Sequence, residues 1–361
     1  MRSRVIVTFW TAASVGAQAP KVIPEASACA QCRIVVRETI VLADEQDSSA
    51  HAPVTVREDA RGRFWVFRQD EAVPSVYDRT GAFLRVLGRR GQGPAEFEAA
   101  YDMLSLPGDS VLVLDDRTRR GTVLDPSLRP TRTISVPLGL RGPVLLSWPR
   151  AVLGNGADPV ASTGSLQVWD FRQSPARRAR AFGPPAGDLV SEYGLLRQYL
   201  TRPREASIWV GGASAFRLYR WSVDGVLAER WHRAPPWLPE ATAPRLGTPS
   251  RAPSASLVGI TTDSAGRVWT VARLPGPEWK SGWPMLRPGT REVSTRDLVL
   301  DRLFVTLVEV FDPRLGRIVA RQTWEGYAPN ALPGAGLVLY ATDAAGTRRT
   351  RILRLTLEGA A

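Results

Sequence analysis

Apolar residues along this chain fall into short runs rich in Val, Ile, Leu and aromatics, broken at close intervals by Gly, Asp and Pro, a pattern that predicts strands joined by tight turns. The turn Asp59-Ala60-Arg61-Gly62 leading into Arg63-Phe64-Trp65 recurs as Asp263-Ser264-Ala265-Gly266 leading into Arg267-Val268-Trp269, with Asp, Gly, Arg and Trp at the same spacing. Looser copies are Leu106-Pro107-Gly108-Asp109 before Val111-Leu112-Val113, and Leu332-Pro333-Gly334-Ala335 before Leu337-Val338-Leu339. In such a hairpin Asp bonds the turn backbone, Gly takes the positive φ and an apolar strand follows. A second kind of turn follows each copy: Tyr77-Asp78-Arg79-Thr80-Gly81, Leu124-Asp125-Pro126-Ser127, Trp221-Ser222-Val223-Asp224-Gly225 and Phe311-Asp312-Pro313-Arg314-Leu315-Gly316. One unit therefore reads strand, Gly turn, strand, variable loop, strand, Asp or Gly turn, strand.

The units fall at 54–87, 102–136, about 144–182, about 197–231 and 257–324. A last unit begins near 329, has further strands at 336–341 and 351–357, and lacks a fourth. Arg33 to Leu42, rich in Val and Ile, is an orphan strand at the other end and can supply the missing edge. The expectation is an all-β, six-bladed β-propeller of four-stranded antiparallel blades, its ring closed by an N-terminal strand so that no open edge is left. The chain divides into a leader at 1–19, an N-terminal segment at 20–53 and the propeller at 54–361.

Val76-Tyr77-Asp78-Arg79-Thr80-Gly81 with Phe83 and Leu84, followed by Leu87-Gly88-Arg89-Arg90-Gly91-Gln92-Gly93-Pro94-Ala95-Glu96-Phe97, resembles the bacterial six-bladed β-propeller families of NHL-repeat-like and TolB-like type. Their units carry a Phe-Asp-x-x-Gly turn and a Gly-x-Gly-Pro-Gly-Glu-Phe loop; here Ala95 stands for the second Gly of that loop. The likeness is closest over 54–136, looser over 257–357 and faint over 140–255. It implies the fold, and a family mostly of binding or unknown function. Gly88, Gly91, Gly93, Pro94, Glu96 and Phe97 are read as structural, with Phe97 wedged between blades and Glu96 accepting backbone N–H bonds. No Lys follows the glycines as a phosphate-binding loop requires.

Related propellers include streptogramin lyases, gluconolactonase-like hydrolases and zinc-dependent peptidyl-hydroxyglycine lyases, which gather His or carboxylates on the central channel. With only His51 and His232, a three-His zinc site cannot be assembled. A divalent ion bound by inner-strand carboxylates such as Glu58 or Asp102 is the alternative, and would make the chain a lyase or lactonase-like hydrolase. The leading expectation is a binding module without catalysis, metal or cofactor.

The net charge of +12 comes almost wholly from arginine, since Lys21 and Lys280 are the only lysines. Such a balance favours acidic partners. The arginines are scattered rather than gathered into a stripe, which argues against nucleic acid and leaves a protein, peptide or anionic glycan. Arg2 and Arg4, the mostly apolar Val5 to Val15, and Ala17-Gln18-Ala19 form an export signal with a small-residue cleavage pattern, so a periplasmic or secreted monomer is expected. In an oxidising compartment Cys29 and Cys32 are expected to form a disulfide; Arg33 replaces the His of a haem attachment motif, and a strand rather than a helix follows. No apolar run reaches the ~18 residues of a membrane span.

Strand parity sorts the loops by face. The long connections 88–101, 183–196, 232–256 and 274–306 share one parity and emerge on one face, while the tight turns emerge on the other. Long loops are where binding elements collect. That face carries Arg89, Arg90, Trp237, Trp279, Trp283 and Arg287, with Arg348 and Arg349, a set suited to flat or anionic ligands. The competing reading is that the Trp side chains pin their own loops to the ring.

Overall fold

The computed structural model describes residues 19–26, 29–43, 52–68, 71–137, 140–149, 151–155, 165–184, 198–238, 248–284 and 298–359. Its strands, in chain order, begin with β1 (Lys21–Val22) and β2 (Arg33–Val41). A first sheet joins β3 (Pro53–Glu58), β4 (Phe64–Arg68), β5 (Ser75–Tyr77) and β6 (Phe83–Val86), followed by a small ribbon of β7 (Arg89–Arg90) and β8 (Glu96–Phe97). The next sheet is β9 (Ala100–Ser105), β10 (Val111–Asp115), β11 (Arg120–Leu124) and β12 (Pro130–Ser135). Then come β13 (Arg141–Ser147), β14 (Ala151–Asn155), β15 (Leu166–Asp170) and β16 (Arg177–Phe182). A wider sheet holds β17 (Gln198–Leu200), β18 (Ser207–Gly212), β19 (Phe216–Ser222) and β20 (Leu227–Arg233), with β1 added in parallel beside β20. The chain continues as β21 (Ser256–Thr262), β22 (Val268–Pro275), β23 (Phe304–Asp312) and β24 (Arg317–Glu325). Last are β25 (Ala331–Leu332), β26 (Gly336–Thr342) and β27 (Arg348–Glu358).

Strand β2 lies antiparallel to β27, from Arg33 opposite Glu358 to Val41 opposite Arg351, and makes the fourth strand of the last sheet. The expectation of uniform four-stranded blades is corrected in one place. Among the described residues five sheets are four-stranded, and the sheet of 198–233 is widened to five by β1. A two-residue strand carries no periodic signal, and β1 is held in place by its neighbours Ile23 and Glu25. Ile23, 2% exposed, sits with Trp231, Phe311 and Ile318. Glu25 accepts Arg233 Nε at 2.7 Å and Arg321 Nη1 at 3.2 Å.

Burial is most complete on the second strands and falls toward the outer edge. Every residue of β4 (Phe-Trp-Val-Phe-Arg) and β10 (Val-Leu-Val-Leu-Asp) is buried, because both faces of a second strand are covered by neighbouring sheets. Every residue of the outer strand β6 is exposed, and β16 opens with four exposed residues, Arg177 to Arg180. Charge on such an edge discourages pairing with other chains. The apolar core lies between sheets, as where Trp65 and Phe67 of one meet Met103, Val111 and Val113 of the next.

First strands touch in succession: β3 meets β9, then β13, β17, β21 and β25, and β25 returns to β3. At that return Asn330, buried, bonds both main-chain groups of Val56, accepting its N–H and donating to its carbonyl oxygen at 2.9 Å each. One amide side chain thus replaces a missing strand partner. The paired turns are built alike. Asp59 Oδ1 accepts the N–H groups of Arg61 and Arg63, while Oδ2 accepts Arg63 Nε and Trp65 Nε1. Asp263 does the same for Ala265, Arg267 and Trp269. Gly62 and Gly266 take φ of 76° and 80°, the left-handed conformation that such a turn demands. Cys29 and Cys32 form a disulfide. Among the described residues no helix is long and apolar enough to cross a membrane.

Candidate functional site on the long-loop face

The Gly-rich loop after the first sheet is organised around one carboxylate. Glu96 accepts the Gly93 N–H at 2.7 Å and Arg89 Nε at 2.6 Å, and these partners, the backbone donor first, hold its carboxyl below the ordinary range. A Cβ on Gly91 would lie 2.2 Å from Glu96 Oε2, and one on Gly88 2.2 Å from the Ala95 carbonyl oxygen, so neither position accepts a side chain. Ala95 takes the left-handed φ of 55° that the related loops assign to glycine. Pro94 stands between Gly93 and Ala95 on the same turn. Phe97, 1% exposed, packs with Trp65, Phe67, Leu87 and Met103 between two sheets. Arg89 is spent on Glu96, and Arg90 is exposed on β7.

The tryptophans lie elsewhere and are anchored. Trp237 meets Phe216 edge-to-face at 6.1 Å and packs onto the apolar cluster around Ile23 and Trp231. Trp279, within the 3-10 turn Trp279–Gly282, and Trp283 pack against Leu298, Leu303, Phe304, Tyr327 and Tyr340. Arg287 lies outside the described residues. Arg348 faces Asp301 at 3.6 Å, and Arg349 donates to Asp343 at 3.2 Å. Trp279 and Trp283 thus share an apolar cluster with Tyr340, which also faces Arg348, whereas Trp237 packs on a different cluster.

A different cation collects the aromatics. Arg273 stands near the end of β22, opposite Ser256 on β21 and Thr306 on β23. Its guanidinium carbon lies 5.4 Å from the Phe304 ring centre and 5.0 Å from that of Tyr327. Nε is buried without a hydrogen-bond partner, and among the described residues no carboxylate pairs with this arginine. Tyr327 is fixed by a two-way backbone bridge to Tyr340 at 2.8 Å each way. The tyrosine hydroxyl of Tyr340 is pushed up by burial against the opposing pull of Arg348. The insertion after β22 supports Phe304: Gly276 N–H bonds the Leu303 carbonyl oxygen, and Asp301 accepts the N–H and hydroxyl of Thr342. A guanidinium resting on two rings with no acid keeps its charge available to an incoming anion. Nothing in the sequence distinguishes Arg273 among many arginines except its place between a buried strand and the longest insertion.

The inner-strand carboxylates Asp102 and Glu58 are each paired with an arginine. Asp102 accepts Arg57 Nε at 2.6 Å and Nη2 at 2.9 Å; Glu58 accepts Arg354 Nη1 at 3.0 Å and Nη2 at 2.5 Å. Bidentate pairing engages both oxygens of each carboxylate. His232 stands on β20 beside β1, at the outer edge of its sheet, and His51 lies outside the described residues.

No protein-family model matches the chain, and no curated protein does. Solved structures match in fold. A member of the DUF4221 family from Bacteroides vulgatus shares 10% identity at a TM-score of 0.61, over 91% of this chain and 99% of that one. A protein from Bacteroides fragilis inferred to be exported shares 11% identity at a TM-score of 0.57, over 94% and 99%. A streptogramin B lyase shares 11% at a TM-score of 0.46, over 90% and 98%. At such identities the first two comparisons speak for the fold alone: the chain is an all-β protein whose mostly four-stranded, antiparallel sheets are arranged as the blades of a propeller.

Proposed function

We propose that this protein is an exported, non-catalytic binding propeller that recognises an anionic peptide, protein or glycan group on its long-loop face, with Arg273, Phe304 and Tyr327 as the contact. The observation that carries the reading is Arg273 itself, a cation held on two rings with no acid paired to it among the described residues. The alternative of a metal-dependent lyase or lactonase is disfavoured by the bidentate arginine partners of Glu58 and Asp102. Arg89 and Trp237, Trp279 and Trp283 serve loop structure in this reading. The wide sheet of 198–233 counts as a blade, and the succession of first strands supports a ring of six closed by β2. The disulfide, the export-like first 19 residues and the fold shared with an exported Bacteroides protein support a periplasmic or secreted location.

The test is an array of anionic glycans and acidic peptides probed with wild type, Arg273→Gln and Arg89→Ala. Loss of one charge-assisted contact predicts a fall in affinity of about tenfold or more for Arg273→Gln. Arg89→Ala should bind as wild type. Equal binding by all three would exclude Arg273 as the contact.

A further inference from the structure

The opposite mouth of the ring holds a second arginine that makes no ion pair among the described residues. Arg202 follows β17, and its Nη2 donates to the main-chain carbonyl oxygen of Glu58, at the end of β3, at 3.2 Å. In the ring of first strands β3 and β17 are not neighbours: β9 and β13 stand between them on one side, β21 and β25 on the other. Arg202 therefore reaches across the axis, at the end of the first strands where the tight turns emerge. Three cations and two carboxylates meet there. Arg57 cancels Asp102, Arg354 cancels Glu58, and Arg202 is left over. Arg57 spends Nε and Nη2 on Asp102, and its Nη1 has no partner among the described residues.

We infer that this mouth binds a small carboxylate or phosphate anion, held by Arg202 from one side of the axis and by the free Nη1 of Arg57 from the other. Although Arg202 is open to solvent, the surrounding protein lowers its pKa by desolvation, Glu58 opposes this, and Arg57 adds repulsion. An anion between the two guanidiniums removes that repulsion and takes up the donors that Glu58 leaves unused. The Asp102 and Glu58 carboxylates border the site and disfavour a polyanion or an extended acidic surface, which limits the ligand to a compact group. The site is independent of Arg273, which belongs to the other face.

Calorimetric titration of the full chain with inorganic phosphate and, separately, succinate at low ionic strength tests this. Saturable binding is expected for at least one of them, phosphate alone marking a tetrahedral anion and succinate a planar carboxylate. Arg202→Gln should weaken that binding by about tenfold or more, Arg202→Lys by less, and Arg273→Gln not at all. Melting in phosphate or succinate should exceed melting in chloride of equal ionic strength for wild type, a reading that needs no variant to fold. No saturable heat with either anion, or wild-type affinity in a folded Arg202→Gln, would overturn the proposal. Loss in Arg273→Gln alone would overturn it while favouring the long-loop site.

Discussion

At the scale of single residues, the recurrent Asp explains why one short motif is legible in the sequence. Asp59 organises four donors with one carboxylate, and two of them, Arg63 Nε and Trp65 Nε1, are side chains at fixed offsets along the chain. Asp263 repeats every one of these bonds with Ala265, Arg267 and Trp269. Identical spacing was required by geometry, so it survives as text. Arg273 is the opposite case: its meaning depends on Phe304 and Tyr327, brought to it by a long insertion and by the next sheet. No local spacing records that. Asp59→Ala strands the guanidinium of Arg63 and the indole N–H of the fully buried Trp65. Breaking a buried pair by removing one partner costs about 3–5 kcal/mol, and chemical denaturation should show a loss of that order for Asp59→Ala. A loss under about 1 kcal/mol, the worth of an exposed ion pair, would mean that water replaces the carboxylate.

At the scale of elements, the legible parts are those that repeat, and the hidden parts are those that a neighbour decides. The units placed at 102–136 and 257–324 coincide with sheets spanning 100–135 and 256–325, since each is bounded by its own turns. The ribbon of β7 and β8 was hidden because a Gly-rich loop gives no strand pattern; it forms around Glu96 and its donors. Strand β1 was hidden because Lys21 and Val22 are both exposed and only Ile23 is buried. That arrangement makes the residues around Ile23 a strap across the outer edges of two sheets, fastened at Glu25 to Arg233 and Arg321. Ile23→Ala removes most of a side chain from between Trp231, Phe311 and Ile318. Large-to-small changes of this kind cost about 2–5 kcal/mol, and thermal melts should place Ile23→Ala within that range. Unchanged melting would show that the strap is a passive cover.

At the scale of the whole molecule, the arrangement has a seam where the last sheet meets the first. Two devices close it: β2, which supplies the last sheet with its outer strand, and Asn330, which clasps Val56 at the inner edge. The outer device was legible as an unfinished unit at one end of the chain and an orphan strand at the other. The inner one was not, because a lone Asn before a two-residue strand has no pattern. The two act at different radii, so they are not redundant. Removing residues 20–43 strips β27 of its outer partner along Arg351 to Glu358 and uncovers Ile34's neighbours in the core, leaving an open edge of the kind that recruits other chains. Asn330→Ala instead leaves the main-chain groups of Val56 buried and unbonded, at about 1–3 kcal/mol. The truncated chain is therefore expected to melt at much lower temperature and to associate during size-exclusion chromatography, while Asn330→Ala should lose stability yet elute as wild type. If the truncated chain melted and eluted as wild type, β2 would be a decoration on a ring held at its inner edge alone.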